Sequence, residues 1–114
     1  MSLTHRQEHD VDVVTLPERL VMANAGEARA DLKQIIQSGN GRVVVDLGET
    51  LFMDSSGLAV VVAGLQAARK MEGDVYLARM SDTIRALFEL TRLHTVFQIF
   101  DDEAAAVRAF GKAD

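Results

Sequence analysis

The sequence predicts an α/β fold: one domain over residues 1–114, built on a mostly parallel mixed sheet of about five strands, with an antiparallel strand at one edge and about four helices. Three observations lead there. Short β-branched runs alternate with segments of helical period from Asn24 onward, the pattern of parallel strands joined by crossover helices. The front end instead carries two strand-like stretches with almost nothing between them. A chain of 114 residues with 48% hydrophobic and 25% charged residues and a single Pro has the composition of a compact domain rather than a disordered tail.

The elements follow in order. Residues about 3 to 8 and 11 to 16 read as two strands joined through His9-Asp10, close enough to pair as an antiparallel hairpin. Ala28, Leu32, Ile35 and Ile36 sit at i, i+4, i+7 and i+8 of a first helix; Asn24 reads as its cap, with Glu27 completing an Asn version of the capping box. After Ser38-Gly39-Asn40-Gly41, the run Val43, Val44, Val45 and Leu47 suits a strand buried on both faces. Leu58, Val61, Val62, Leu65 and Ala68 mark the second and most hydrophobic helix. Val75-Tyr76-Leu77-Ala78 and Val96-Phe97-Gln98-Ile99-Phe100 read as two more strands. Between them Ile84, Leu87, Phe88 and Thr91 form a short helix behind a Ser81 cap, and Asp101 or Asp102 starts a last helix with Val107 and Phe110 on one face.

Composition narrows the function. The chain has no Cys, which removes disulfides, thiolate zinc sites and Cys nucleophiles together and suits a cytoplasmic setting. A net charge of −5 with the basic residues scattered, and aromatics at 5%, argues against nucleic acid and against anionic membranes. No stretch approaches the ~20 apolar residues of a membrane span, and Met1 to Asp10 lacks the apolar run of a signal peptide. Membrane insertion is therefore not expected.

His5-Arg6-Gln7-Glu8-His9 has the spacing of the inverted zinc-protease motif, but that motif needs a helix. In a strand, residues four apart lie ~13 Å from one another, so the two are read as solvent-facing strand histidines. No dinucleotide or phosphate-loop glycine motif occurs, and Gly57 supplies only half of a nucleophile-elbow frame. Neither a cofactor nor an enzyme activity is expected.

Asp54-Ser55-Ser56-Gly57-Leu58 is the sharper feature. It follows the valine strand and opens the hydrophobic helix, beside that helix's free backbone N–H groups. Simple capping by Asp54 or Ser55 would account for one of these residues, with Gly57 allowing close packing. The segment offers three polar groups, and a surplus hydroxyl at a helix N-terminus is a good seat for a phosphate, because N–H donors and the dipole both favour negative charge there.

Phe52-Met53-Asp54-Ser55-Ser56-Gly57-Leu58 after Val43-Val44-Val45-Asp46-Leu47 resembles the signature of STAS domains of the anti-sigma-factor antagonist type. Leu16-Pro17-Glu18-Arg19-Leu20 resembles that family's second strand and turn, and Ile84 to Leu93 its third helix and exit. The resemblance implies a single STAS-like domain. It also implies a partner switch, in which the unphosphorylated protein binds a serine kinase of the histidine-kinase-like ATPase type that doubles as an anti-sigma factor, freeing sigma. Phosphorylation of the second serine, here Ser56, ends the binding, and a metal-dependent serine phosphatase reverses it. Met22, Asn24, Met53, Asp54, Ser55, Gly57 and Leu58 are the implied partner-binding residues. One departure stands out: Glu18 and Val21 occupy the places of the Gly and Asp in the family's Gly-x-Leu-Asp turn, which implies altered kinase docking at a turn expected to be exposed. The alternatives are an unphosphorylated STAS scaffold in a stressosome-like or lipid-transport assembly, and a serine hydrolase.

Overall fold

The computed structural model describes residues 3–112. The hairpin opens the fold: β1 (Thr4–Glu8) pairs antiparallel with β2 (Val11–Thr15). His9 and Asp10 form the turn, both with positive φ (51° and 65°), the backbone sense that matches the twist of the strands it joins. His9 thus lies in the turn and not in a strand, while His5 stays on β1 with its Nε2 3.0 Å from Oδ1 of the buried Asp12.

The two-residue strand β3 (Arg19–Leu20) leads into α1 (Met22–Ser38), then β4 (Arg42–Asp46), the two-residue strand β5 (Phe52–Met53) and α2 (Ser55–Lys70). β6 (Asp74–Ala78), α3 (Asp82–Leu90), a 3-10 turn (Leu93–Thr95), β7 (Gln98–Phe100) and α4 (Glu103–Lys112) follow in the described residues. The main sheet has the order β1-β2-β4-β6-β7, parallel throughout except for the hairpin at its edge. This is a single compact α/β domain with four helices and a five-stranded mixed sheet.

The valine run of β4 shows why both faces are covered. Val43 and Val45 point to one side, into a core with Leu32, Ile36, Val61, Leu65, Ile84 and Phe88 of the three helices α1, α2 and α3. Val44 points to the other, where Val11, Val13 and Tyr76 meet Ala106, Val107 and Phe110 of α4. Alternation along a strand with helices on both sides leaves no polar face, so the run is apolar throughout.

Two boundaries and one exposure differ from the sequence reading. Helix α1 begins at Met22, two residues ahead of Asn24, and Val21 is its N-cap. Asn24 lies in the first turn and reaches back, its Oδ1 accepting from the Val21 N–H at 2.9 Å. Val21 is half-buried rather than exposed. At the far end Val96 and Phe97 precede β7, since the 3-10 turn occupies the chain up to Thr95. Ser81 and Asp102 cap as expected, accepting from the N–H groups of Ile84 and Ala105. Among the described residues no helix is long and apolar enough to cross a membrane.

Candidate functional site

The candidate site is the place where two helix N-termini and the small β3–β5 sheet meet. Arg19 pairs with Phe52 and Leu20 with Met53 in a parallel two-residue ladder. The loop ahead of it is tied down by Thr50, buried, whose hydroxyl donates to the Pro17 carbonyl at 3.0 Å, and by the Leu51 N–H, which donates to Glu18 at 2.8 Å. The Arg19 guanidinium stacks over the Phe52 ring at 4.8 Å from its centroid.

Asp54 holds the junction together. Its Oδ1 accepts from the Gly57 N–H at 3.1 Å and caps α2, while its Oδ2 accepts from the Met22 N–H at 3.1 Å and serves the first turn of α1. Val21 has no side chain able to accept a hydrogen bond, and this distant carboxylate supplies a side-chain acceptor to the first N–H of the helix. Desolvation pushes the Asp54 carboxyl upward; the N–H groups of Gly57, Met22 and Ser56 outweigh it and hold the carboxyl below its ordinary value.

With Asp54 as the cap, the two serines are spare. Ser55 is exposed and Ser56 half-exposed, and neither side chain makes a hydrogen bond among the described residues. Gly57 is buried against β3: a Cβ there would collide with the Leu20 carbonyl oxygen and come within 2.6 Å of the Met53 Cγ. Its absence of a side chain lets the strand cross the helix start closely.

The other expected site residues divide by depth. Met22 is 77% exposed, and Asn24 is half-exposed with its amide donating to the Arg19 carbonyl at 2.8 Å. Met53, Gly57 and Leu58 are buried beneath the edge. They shape it without presenting themselves. Two apolar side chains outside the expected set do present themselves, Leu51 at 63% and Phe52 at 50% exposed. The alternation Phe52 out, Met53 in is the signal for Phe52, but two residues are too few for a period to be read.

His94 lies elsewhere. It sits in the 3-10 turn before β7, and Arg69 near the C-terminal end of α2 donates to the neighbouring Val96 carbonyl at 3.4 Å. Ser56 lies almost at the opposite end of that helix, ~20 Å away along its axis at the rise of an α-helix. The fold therefore does not bring His94 to Ser56.

A second charged cluster braces the end of β4. Asp46, buried, accepts from the Gly48 N–H at 2.7 Å and from Arg79 at 3.1 Å, while Arg6 reaches Glu103 at 2.7 Å. A hydrogen bond with Asp46, burial and the Asp46 charge raise Glu103 from 4.5 to about 7, against the opposing pull of Arg6 and Arg79.

Comparison with known proteins matches these features to one family. The STAS domain model covers residues 2–106. BtrV of Bordetella bronchiseptica is 32% identical over 91 residues, 80% of this chain and 78% of BtrV. The anti-sigma-B factor antagonist of Staphylococcus aureus is 30% identical over 90 residues, 79% of this chain and 75% of the relative. Among solved structures, an anti-sigma-factor antagonist (STAS) domain protein from Planctomyces limnophilus superimposes with a TM-score of 0.89 over 97% of this chain and 99% of that one, at 20% identity.

Proposed function

The chain belongs to the STAS domain family, and on that premise we propose that it is a non-enzymatic anti-sigma-factor antagonist working through a phosphorylation-controlled partner switch. In its unphosphorylated form the Ser56 edge binds a serine kinase of the histidine-kinase-like ATPase type, which is also the anti-sigma factor, and sigma is released. The kinase then moves the γ-phosphoryl group of its ATP to Ser56: the Oγ–P bond forms, the bond to the ADP oxygen breaks, and the hydroxyl proton leaves. A metal-dependent serine phosphatase hydrolyses the ester and restores binding. The setting is cytoplasmic.

The observation that carries this reading is the division of labour at the start of α2. Asp54 does the capping, so the Ser56 hydroxyl is left without a structural task and half-open to solvent. A dianion at the second residue of the helix suits the N-terminal dipole and disturbs the fold little. A partner seated on Met22, Ser55 and Asp54, with Phe52 beside them, would meet that charge at the centre of its contact. The role of the Staphylococcus relative, named as an anti-sigma-B factor antagonist, is consistent with it.

Incubation with the cognate kinase and ATP tests the assignment. One phosphate should appear, be lost in Ser56→Ala and persist in Ser55→Ala. Phosphate mapped to Ser55, or retained in the Ser56→Ala protein, would overturn it, and protein from its native cell that never carries phosphate at Ser56 would favour a scaffold role instead.

A further inference from the structure

We propose that Arg29 is the counter-ion of phosphorylated Ser56, holding the phosphate across the groove between α1 and α2. The inference deepens the partner-switch reading and takes from it the presence of the phosphate. Ser56 and Arg29 line one groove of about 210 Å³, whose other walls are Ala25, Gly26, Ala59 and Val60. None of those four carries a charge or a hydroxyl, so the exposed Arg29 is the one cation among the residues that line the groove with the serine. Arg29 makes no hydrogen bond or ion pair among the described residues and is available. Gly26 leaves room, since a Cβ there would meet nothing within 4 Å.

Direction supports the pairing. Helix α1 lies on the crossover from β2 to β4 and α2 on the crossover from β4 to β6, all three strands being parallel, so the two helices run the same way and start at the same end of the sheet, where Asp54 bonds to Met22. Helical side chains lean toward the N-terminus of their own helix, so Arg29, two turns into α1, is placed to reach back toward the level of Ser56. Arg29 also lines the adjoining groove of about 230 Å³ with Lys33 and Lys70. Lys33 and Lys70 belong to that second groove, with Lys70 at the far end of α2, so Arg29 is the cation that the two grooves share. The guanidinium's planar fork fits two phosphate oxygens at once, which an ammonium cannot do.

The test installs phosphoserine at position 56 during translation, which requires no kinase. Wild type, Arg29→Ala, Arg29→Lys and Lys33→Ala backgrounds are compared by ³¹P NMR titration, after thermal melting of each unphosphorylated protein has shown the fold unchanged. A paired cation favours the dianion, so the second ionisation midpoint should lie lower in wild type than in Arg29→Ala by at least ~0.3 pH unit, about twofold in the ionisation constant. Arg29→Lys should keep part of that difference, Lys33→Ala should retain nearly all of it, and molar salt should shrink it. Superimposable titrations of the wild-type and Arg29→Ala proteins overturn the proposal. That failure is distinct from failure of the partner-switch reading, which is decided by where the kinase places its phosphate.

Discussion

Asp54 and Met22, far apart in sequence, are joined by a hydrogen bond of 3.1 Å from the Met22 N–H to the Asp54 carboxylate, so one side chain fastens the starts of two helices. Removal of the carboxylate leaves both first turns short of an acceptor. Asp54→Ala should lower the melting temperature by several degrees. Asp54→Asn, with one carbonyl oxygen left, should fall between. The pH dependence has a definite sign: the folded state holds the carboxyl below its ordinary value, so the stabilisation is full above that ordinary value, 3.8, and is lost as pH falls through the lower folded value. Melting curves of Asp54→Asn should show less acid sensitivity than wild type; equal sensitivity would mean that the caps act without the charge.

Gly57→Ala tests the close crossing of β3 over α2. The added methyl collides with backbone at Leu20 and with the Met53 side chain, and only the latter can move. We expect a loss of about 1–3 kcal/mol, seen as a melting temperature lowered by roughly 5 °C or more. An unchanged melting temperature would show that the crossing relaxes freely.

Ser56→Asp should separate folding from recognition. A carboxylate in the first helical turn interacts favourably with the dipole by ~0.3–1 kcal/mol, offsetting the lost hydroxyl, so the melting temperature should stay within a few degrees. At the partner interface the same charge is desolvated against a surface matched to a neutral hydroxyl, a penalty of several kcal/mol. Titration calorimetry against the kinase should show affinity reduced at least about a hundredfold. Undiminished affinity would place the switch elsewhere.

Glu103 gives the opposite pH sign to Asp54. Its folded value, raised from 4.5 to about 7, means that the folded state holds a proton which the unfolded chain releases in that window, so stability falls as pH rises between the two. The Glu103 side chain is 23% exposed and solvent screens part of the effect, leaving of the order of 1 kcal/mol. Between pH 5 and pH 8 wild type should lose a few degrees of melting temperature that Glu103→Gln does not lose. Parallel curves would show that the folded state does not hold the proton on Glu103.

What can be read from the chain alone depends on how local its cause is. The strands β4 and β6 are legible because burial on both faces forces an unbroken apolar run, as in Val43 to Val45. The helix caps at Ser81 and Asp102 are legible because cap and first turn are adjacent. The start of α1 is not: its first N–H group is served by Asp54 from another element, and Asn24, typical of a cap, works from inside the first turn. Strands β3 and β5 have two residues each and no period. At the candidate site the Asp-Ser-Ser-Gly segment is visible, but which residue caps, which hydroxyl is spare and that Arg29 shares a groove with Ser56 all depend on packing.

The β3–β5 ladder joins segments separated by all of α1 and β4, so its closure carries a long-loop entropy cost, and its own backbone pairing amounts to two residue pairs. A ladder this short is expected to open locally more readily than the five-stranded sheet. Amide hydrogen exchange at Phe52 and Met53 should therefore proceed far faster than at Val44 and Val45 in the central strand, through local opening rather than global unfolding. The surface beside Ser56 would then breathe more readily than the central sheet, and a partner pressed against it should slow that exchange selectively.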